Sequence, residues 1–262
     1  MSDYTDIRFD VSDNGVATMA FNRPDSFNGI SLQMMDEMEE ILTGLYRDRE
    51  VRVLVLTGIG RSFCPGADVM SVAVSGDVQP IANPAIYDET VPVLLKELPI
   101  PTIAAVNGAC AGAGLGFACA CDMRVAARSA VFRSAFVSIG VAGDMGMPWT
   151  LPRIVGDAAA KELMFLDEKF SAEQALSIGL VSRVWDDEEF PQKVTEMAEV
   201  ITTKAPAAVR SLKRHFSSAD RLDFRDFIEL EFQRHYHLLA TEDAAEGFAA
   251  FAQRRPARFT GQ

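Results

Sequence analysis

Apolar and polar residues alternate along Ile7–Val11 and again along Val16–Phe21, with Ser12-Asp13-Asn14-Gly15 between them. That pattern predicts a β-hairpin. After the turn residues Asn22-Arg23-Pro24-Asp25 the period changes. Leu32, Met35, Met38, Leu42 and Leu45 recur at helical spacing behind Ser31, whose hydroxyl suits an N-cap. Residues 51–56 read as a buried strand closing on Thr57-Gly58, and 103–106 and 123–126 as two more short strands. The first of these two leads through Asn107-Gly108 into a Gly/Ala-rich helix start. Strands separated by helical stretches predict a parallel sheet with crossover helices, so the first half is α/β. Beyond Met147 the pattern turns helical, over 158–166, 171–178, 188–203, 206–217, 224–239 and 241–253. Ser171 with Gln174 makes a capping box, and Gly179 stops that helix.

Of the 262 residues, 48% are hydrophobic and 24% charged, a balance that supports one large folded unit and argues against disorder. The formal charge of −12 sets a mean field that repels nucleic acid and anionic membrane. A phosphate-bearing ligand therefore needs a local basic patch. Arg210, Lys213 and Arg214 are candidates, as are Arg254, Arg255 and Arg258, although each also fits a solvated helix face. Cys64, Cys110, Cys119 and Cys121 lack zinc-site spacing and are too few for a disulfide framework, so they read as reduced, mostly buried thiols. The first ten residues hold no signal-peptide core, and Pro101, Asn107 and glycines interrupt the apolar stretch 100–120. A cytoplasmic protein without metal or redox cofactor is expected.

Three segments carry candidate chemistry. Arg61-Ser62-Phe63-Cys64-Pro65-Gly66-Ala67-Asp68 is a tight turn after a buried strand, either an ordinary connection or a place where a ligand approaches the backbone. Asn107 to Gly116 places unhindered N–H groups near a helix start, where an anion or developing oxyanion can be held. The spacing of Gly112, Gly114 and Gly116 does not fit a dinucleotide fingerprint. In the third segment, Gly143-Asp144 is either a simple turn or a carboxylate among Val, Ala and Met, where desolvation raises its pKa toward that of a general base.

Taken in order, "FNRPDSFNGIS", "RSFCPGADV", "PTIAAVNGACAGAG", "CDMRVAARSAVF" and "LPRIVG", with "SAEQALSIGLVSRV" behind them, resemble the enoyl-CoA hydratase/isomerase (crotonase) superfamily across almost the whole chain. The resemblance implies a spiral core of repeated ββα turns, at 1–200, and a helical C-terminal region of the same unit, at 201–262, that assembles trimers or dimers of trimers. It implies an acyl-CoA thioester substrate, of which coenzyme A is a part, and no separate cofactor. The oxyanion-hole amides would be those of Ala67 and Ala113. Coenzyme A contacts would come from Asn22, Arg23, Ser26 and Phe27 and from the backbone around Gly66 and Asp68. Phe251 and Arg254 would reach the coenzyme A of a neighbouring subunit. Asp68 and Asp122 would fix local backbone, and 69–90, Phe136 and Trp149 would wall the acyl pocket.

The departures from the family pattern are informative. Gly116 and Phe136 occupy the two positions where family hydratases place glutamates, and neither can move a proton. Asp144 coincides with the single catalytic carboxylate of several family isomerases. The expectation is an enoyl-CoA isomerase in which Asp144 carries a proton from C2 to C4. The alternatives are hydration by a non-standard carboxylate, with Asp88 or Glu89 as candidates, and a degenerate acyl-CoA-binding protein. His215, His235 and His237 all fall in C-terminal helices, which counts against family chemistries that rely on histidine.

Overall fold

A computed structural model describes residues 4–67 and 89–262. Strands β1 (Ile7–Val11) and β2 (Val16–Phe21) form the expected antiparallel hairpin, and helix α1 (Leu32–Arg47) starts where Ser31 accepts a hydrogen bond from the Met34 amide. Three strand pairs follow: β3 (Val53–Gly58) with β4 (Ser62–Cys64), β5 (Thr102–Val106) with β6 (Ala109–Ala111), and β7 (Met123–Ala127) with β8 (Val131–Arg133). The first member of each pair joins a six-stranded sheet that β10 (Val184–Trp185) completes in the order β1-β2-β3-β5-β7-β10, and the second joins a four-stranded sheet that β9 (Phe170–Ser171) completes in the order β4-β6-β8-β9. Within each sheet the successive repeats pair in parallel, which winds the chain into the expected ββα spiral.

Helix α2 (Thr90–Glu97) precedes β5, and α3 (Ala113–Ala120) follows β6. The segment after Asn107-Gly108 is thus a three-residue strand before it is a helix, because Ala109–Ala111 completes the smaller sheet. Next come α4 (Met147–Val155), α5 (Asp157–Leu166), α6 (Ala172–Ser177), α7 (Phe190–Thr202), α8 (Pro206–Ala219), α9 (Phe224–Leu239) and α10 (Glu242–Gln253). The expectation of helices alone beyond Met147 is corrected by β9 (Phe170–Ser171), antiparallel to β8, and β10 (Val184–Trp185), parallel to β7. Each has two residues, too few to show an alternating pattern.

The sheet splits the core by alternation. Leu54, Leu56, Ala104 and Val106 face α1 and α3, while Val53, Val55, Ile103 and Ala105 face Phe190, Val194 and Ala198 of α7. All four cysteines are free and buried. Arg210 and Lys213 are also buried, which corrects their reading as solvated helix positions. Lys213 Nζ pairs with Asp122 at 2.7 Å and donates to the Ile100 carbonyl at 2.8 Å, so α8 is tied to the sheet by polar contacts. None of the helices is long and apolar enough to cross a membrane, among the described residues.

Candidate active site

The turn after β4 and the start of α3, which follows β6, meet at two glycines. A Cβ on Gly114 would lie 2.0 Å from the Cys64 carbonyl oxygen, so only glycine lets the start of α3 close on β4. Gly66, at φ 96°, would carry a Cβ 3.3 Å from the Ala113 nitrogen. These contacts bring Ala67 and Ala113 into one small region. Ala113 is the first residue of α3, where a backbone N–H has no partner within its helix. The short parallel bridge between Ile30 and Ala67 is made through the Gly66 carbonyl, which accepts from the Ile30 amide at 2.9 Å and leaves the Ala67 N–H outside it. Neither amide donates a hydrogen bond among the described residues. Two available N–H groups side by side suit an oxygen that gains negative charge.

Asp144 stands at the neighbouring turn. Gly143 (φ 123°), Met145 (φ 47°) and Gly146 (φ 70°) all have left-handed or extended positive backbone, and the Asp144 carbonyl accepts from the Met147 amide as α4 begins. One carboxylate oxygen, Oδ1, is enclosed and has no hydrogen-bond partner. Burial pushes the carboxyl up to about 6 from 3.8. The Asp144 charge helps raise the Cys64 thiol, which burial lifts to about 12, so the carboxylate lies within electrostatic reach of the Cys64-Pro65-Gly66-Ala67 turn. On the α3 side, a Cβ on Gly116 would stand 3.4 Å from the Asp144 carbonyl oxygen and 2.6 Å from the Met145 Cβ. The buried Met145 fills the space that a side chain at 116 would need.

Phe136 is buried, at 5% exposure, on a loop whose geometry is set by a residue that the sequence did not single out. Asp167 accepts from the Ser134 hydroxyl at 2.7 Å, from the Ala135 amide and from the Ser138 amide at 3.3 Å, and pairs with Arg133. Burial alone would raise its pKa, but bonds from Ser138, Ser134 and Ala135 outweigh it and hold the carboxyl below its ordinary value. That clamp keeps Ala135 at φ 59° and turns Phe136 inward.

The other candidates divide into three groups. Asn22, Arg23, Ser26 and Phe27 lie on the turn that precedes the Ile30–Ala67 bridge, at the same end of the sheet as the two amides. Arg23 pairs with Asp6, and the Arg61 guanidinium covers the Phe27 ring at 4.1 Å. Asn28, the last residue of the stretch that the resemblance implies for coenzyme A, is fully buried and fixes this turn by donating to the Ile59 and Ser62 carbonyls and accepting from the Arg23 amide. Trp149 is 45% exposed, stacked under Arg153 at 3.7 Å in a groove shared with Lys96, Phe216 and Lys213. Phe251 and Arg254 are exposed on the last helix and its cap, and Phe251 borders a groove with Phe248 and Phe259. Asp68, Asp88 and most of 69–90 lie outside the described residues, and Glu89 is exposed. Asp122 accepts from the Thr102 amide and hydroxyl, which is a backbone-fixing arrangement.

The sequence model described as Enoyl-CoA hydratase/isomerase matches residues 12–262. The 1,2-epoxyphenylacetyl-CoA isomerase of Escherichia coli K12 is 36% identical over 95% of this chain and 97% of its own. A probable enoyl-CoA hydratase of Rhodobacter capsulatus is 35% identical over 99% of both chains. Among solved structures, an enoyl-CoA hydratase from Bacillus anthracis superposes with a TM-score of 0.92 at 32% identity, covering 98% of this chain and 100% of that one. This chain belongs to the enoyl-CoA hydratase/isomerase family.

Proposed function

We propose that the chain is an enoyl-CoA isomerase that moves a double bond with Asp144 as its single proton carrier. The observation that carries this reading is the state of Asp144: half-buried, with an enclosed and unpartnered oxygen, and with a pKa raised to about 6. Its neighbours across the turn are Gly116 and Met145, which supply no second acid. The two amides of Ala67 and Ala113 hold the thioester oxygen. Asp144 takes a proton from C2 of a 3-enoyl thioester, the C2–H electron pair delocalises into a dienolate, and the same carboxyl returns the proton at C4. The product is the conjugated 2-enoyl ester, and no water is consumed. Each amide donor is worth about 3–4 kcal/mol of transition-state stabilisation. Coenzyme A enters as part of the substrate, along the Asn22–Phe27 turn and Gly66.

Turnover of a trans-3-enoyl-CoA and a trans-2-enoyl-CoA, followed by the absorbance of the conjugated thioester, tests this. Conjugation should appear from the 3-enoyl ester and be lost in Asp144→Ala, with ester binding retained. Disappearance of conjugation from the 2-enoyl ester instead would make the protein a hydratase. Binding of both esters without change would make it an acyl-CoA-binding protein.

A further inference from the structure

Arg210 stands in the first half of α8, above the N-terminal ends of the parallel strands, and is 9% exposed. Its Nη2 donates to the carbonyls of Asp48 at 3.1 Å and Val51 at 3.2 Å, whereas Nη1 is enclosed and has no hydrogen-bond partner. A buried, unpaired guanidinium is costly, and proteins normally set a carboxylate against it. Arg23, Arg133, Lys213 and Arg255 of this chain each have one. Around Arg210 cations outnumber the carboxylates of Asp48 and Glu50, and neither carboxylate pairs with it. Arg49, Arg52, Arg214, Arg234 and His237 line the same cleft of about 680 Å³, against Glu50. None of these five arginines makes an ion pair among the described residues. Burial lowers the Arg210 pKa, and the charges of Arg49, Arg52 and Arg214 lower it further against the opposing charge of Asp48. In a chain of net charge −12, so concentrated a positive field is a local construction.

The cleft also receives the positive end of α8, since Pro206 and Ala207 line it. It lies at the opposite end of the strands from the Ala67 turn and Asp144. Arg52 immediately precedes β3, whereas the far end of β3 leads toward Ala67, a rise of roughly 20 Å along six residues.

We propose that this cleft binds a polyphosphate anion, a ligand with two or more linked phosphates, at a site separate from the acyl-CoA site. Guanidinium forks match phosphate oxygens in pairs, and several forks around one cleft select linked phosphates over a single one. The volume suits a nucleotide-sized ligand.

The test is calorimetric titration of the full chain with inorganic triphosphate at physiological ionic strength. It is repeated with saturating coenzyme A, and with the double variant R49Q/R214Q, whose two positions are exposed and outside the proposed active site. The expected result is saturable binding that weakens by about tenfold or more in the variant, a change of about 1.4 kcal/mol. Coenzyme A should leave the binding unaltered, and the variant should keep its isomerase rate and its elution volume. Absence of saturable binding, or full binding by the variant, overturns the proposal. Displacement by coenzyme A does so too, by moving the phosphates to the acyl-CoA site. A changed elution volume overturns it by making the cleft a seam between copies of the chain.

Discussion

In the proposed isomerase, the environment of Asp144 sets both its competence as a base and a stability cost. A base must be ionised, so with a carboxyl pKa of about 6 the kcat/KM for isomerisation should fall along a one-proton limb below that pH. The stability effect has the opposite sense. A folded carboxyl with a raised pKa holds its proton more tightly than the unfolded chain does. Its contribution is therefore present below an unfolded pKa near 3.8 and lost as pH rises through about 6. A shift of about two units corresponds to on the order of 2–3 kcal/mol. Asp144→Asn should abolish turnover and still resist urea better than the native protein at about pH 7.5, the gap closing near pH 4. Equal urea midpoints at both pH values would refute the desolvation argument.

Gly116 and Met145 make a second residue-scale case. Since a Cβ at 116 would meet the Met145 Cβ at 2.6 Å, Gly116→Ala should destabilise the protein by about 1–3 kcal/mol. Met145→Gly suits the positive φ at that position and removes the obstruction, so the alanine should cost far less in the double variant. Additive urea midpoints for the two changes would show that the residues are not coupled. The desolvation of Asp144 was legible as one of two readings, beside a simple turn, because a lone carboxylate sat among apolar residues. The Gly116–Met145 contact was not, because 29 positions separate the two residues and only the fold brings them together.

Among the elements, those long enough to repeat a period were legible. The hairpin β1–β2, helix α1 and helix α9 coincide with their hydrophobic patterns, and the Ser171–Gln174 capping box is present with both of its hydrogen bonds. The smaller sheet was hidden, since β4, β6 and β8 have three residues each and β9 has two. Their pairing follows from the spiral, which packs one repeat on the next. The loop between β8 and α4 was equally opaque, because its anchor Asp167 lies about 30 residues from its partners. Asp167→Ala leaves the Ala135 and Ser138 amides unsatisfied and should cost about 2–4 kcal/mol, with a raised KM as Phe136 loses its fixed position. The lowered pKa of this carboxyl gives the usual acid sense: its stabilisation is full above an ordinary carboxylate pKa and disappears as pH falls through the lower folded value. Asp167→Asn should therefore match the native Tm only in strong acid. A native-like Tm for that variant at neutral pH would rule out the clamp.

At the scale of the whole molecule, the C-terminal helices present two surfaces of different chemistry. One is the arginine cleft between α8, α9 and the start of β3. The other is a set of exposed aromatic side chains spread over the last two helices: Phe224 is 80% exposed, Tyr236 65%, Phe248 66% and Phe251 87%. Aromatic side chains of about 150–250 Å² each, exposed to that extent, offer on the order of 500 Å² of apolar area, much of the roughly 800 Å² per partner that a stable interface buries. A soluble chain that leaves such area open pays a solubility cost unless another copy covers it. We propose that a trimer, which the family resemblance implies, supplies that cover and would bring Phe251 and Arg254 within reach of a neighbour's coenzyme A. The two surfaces should separate on mutation. Tyr236→Glu with Phe248→Glu should reduce the mass measured by light scattering toward that of one chain and weaken acyl-CoA binding, because a charged side chain in an apolar interface is expensive to desolvate. R49Q/R214Q should leave the mass unchanged. If the aromatic variant kept both its native mass and its affinity, assembly would have to run through another face, and the last helix would have no part in holding coenzyme A.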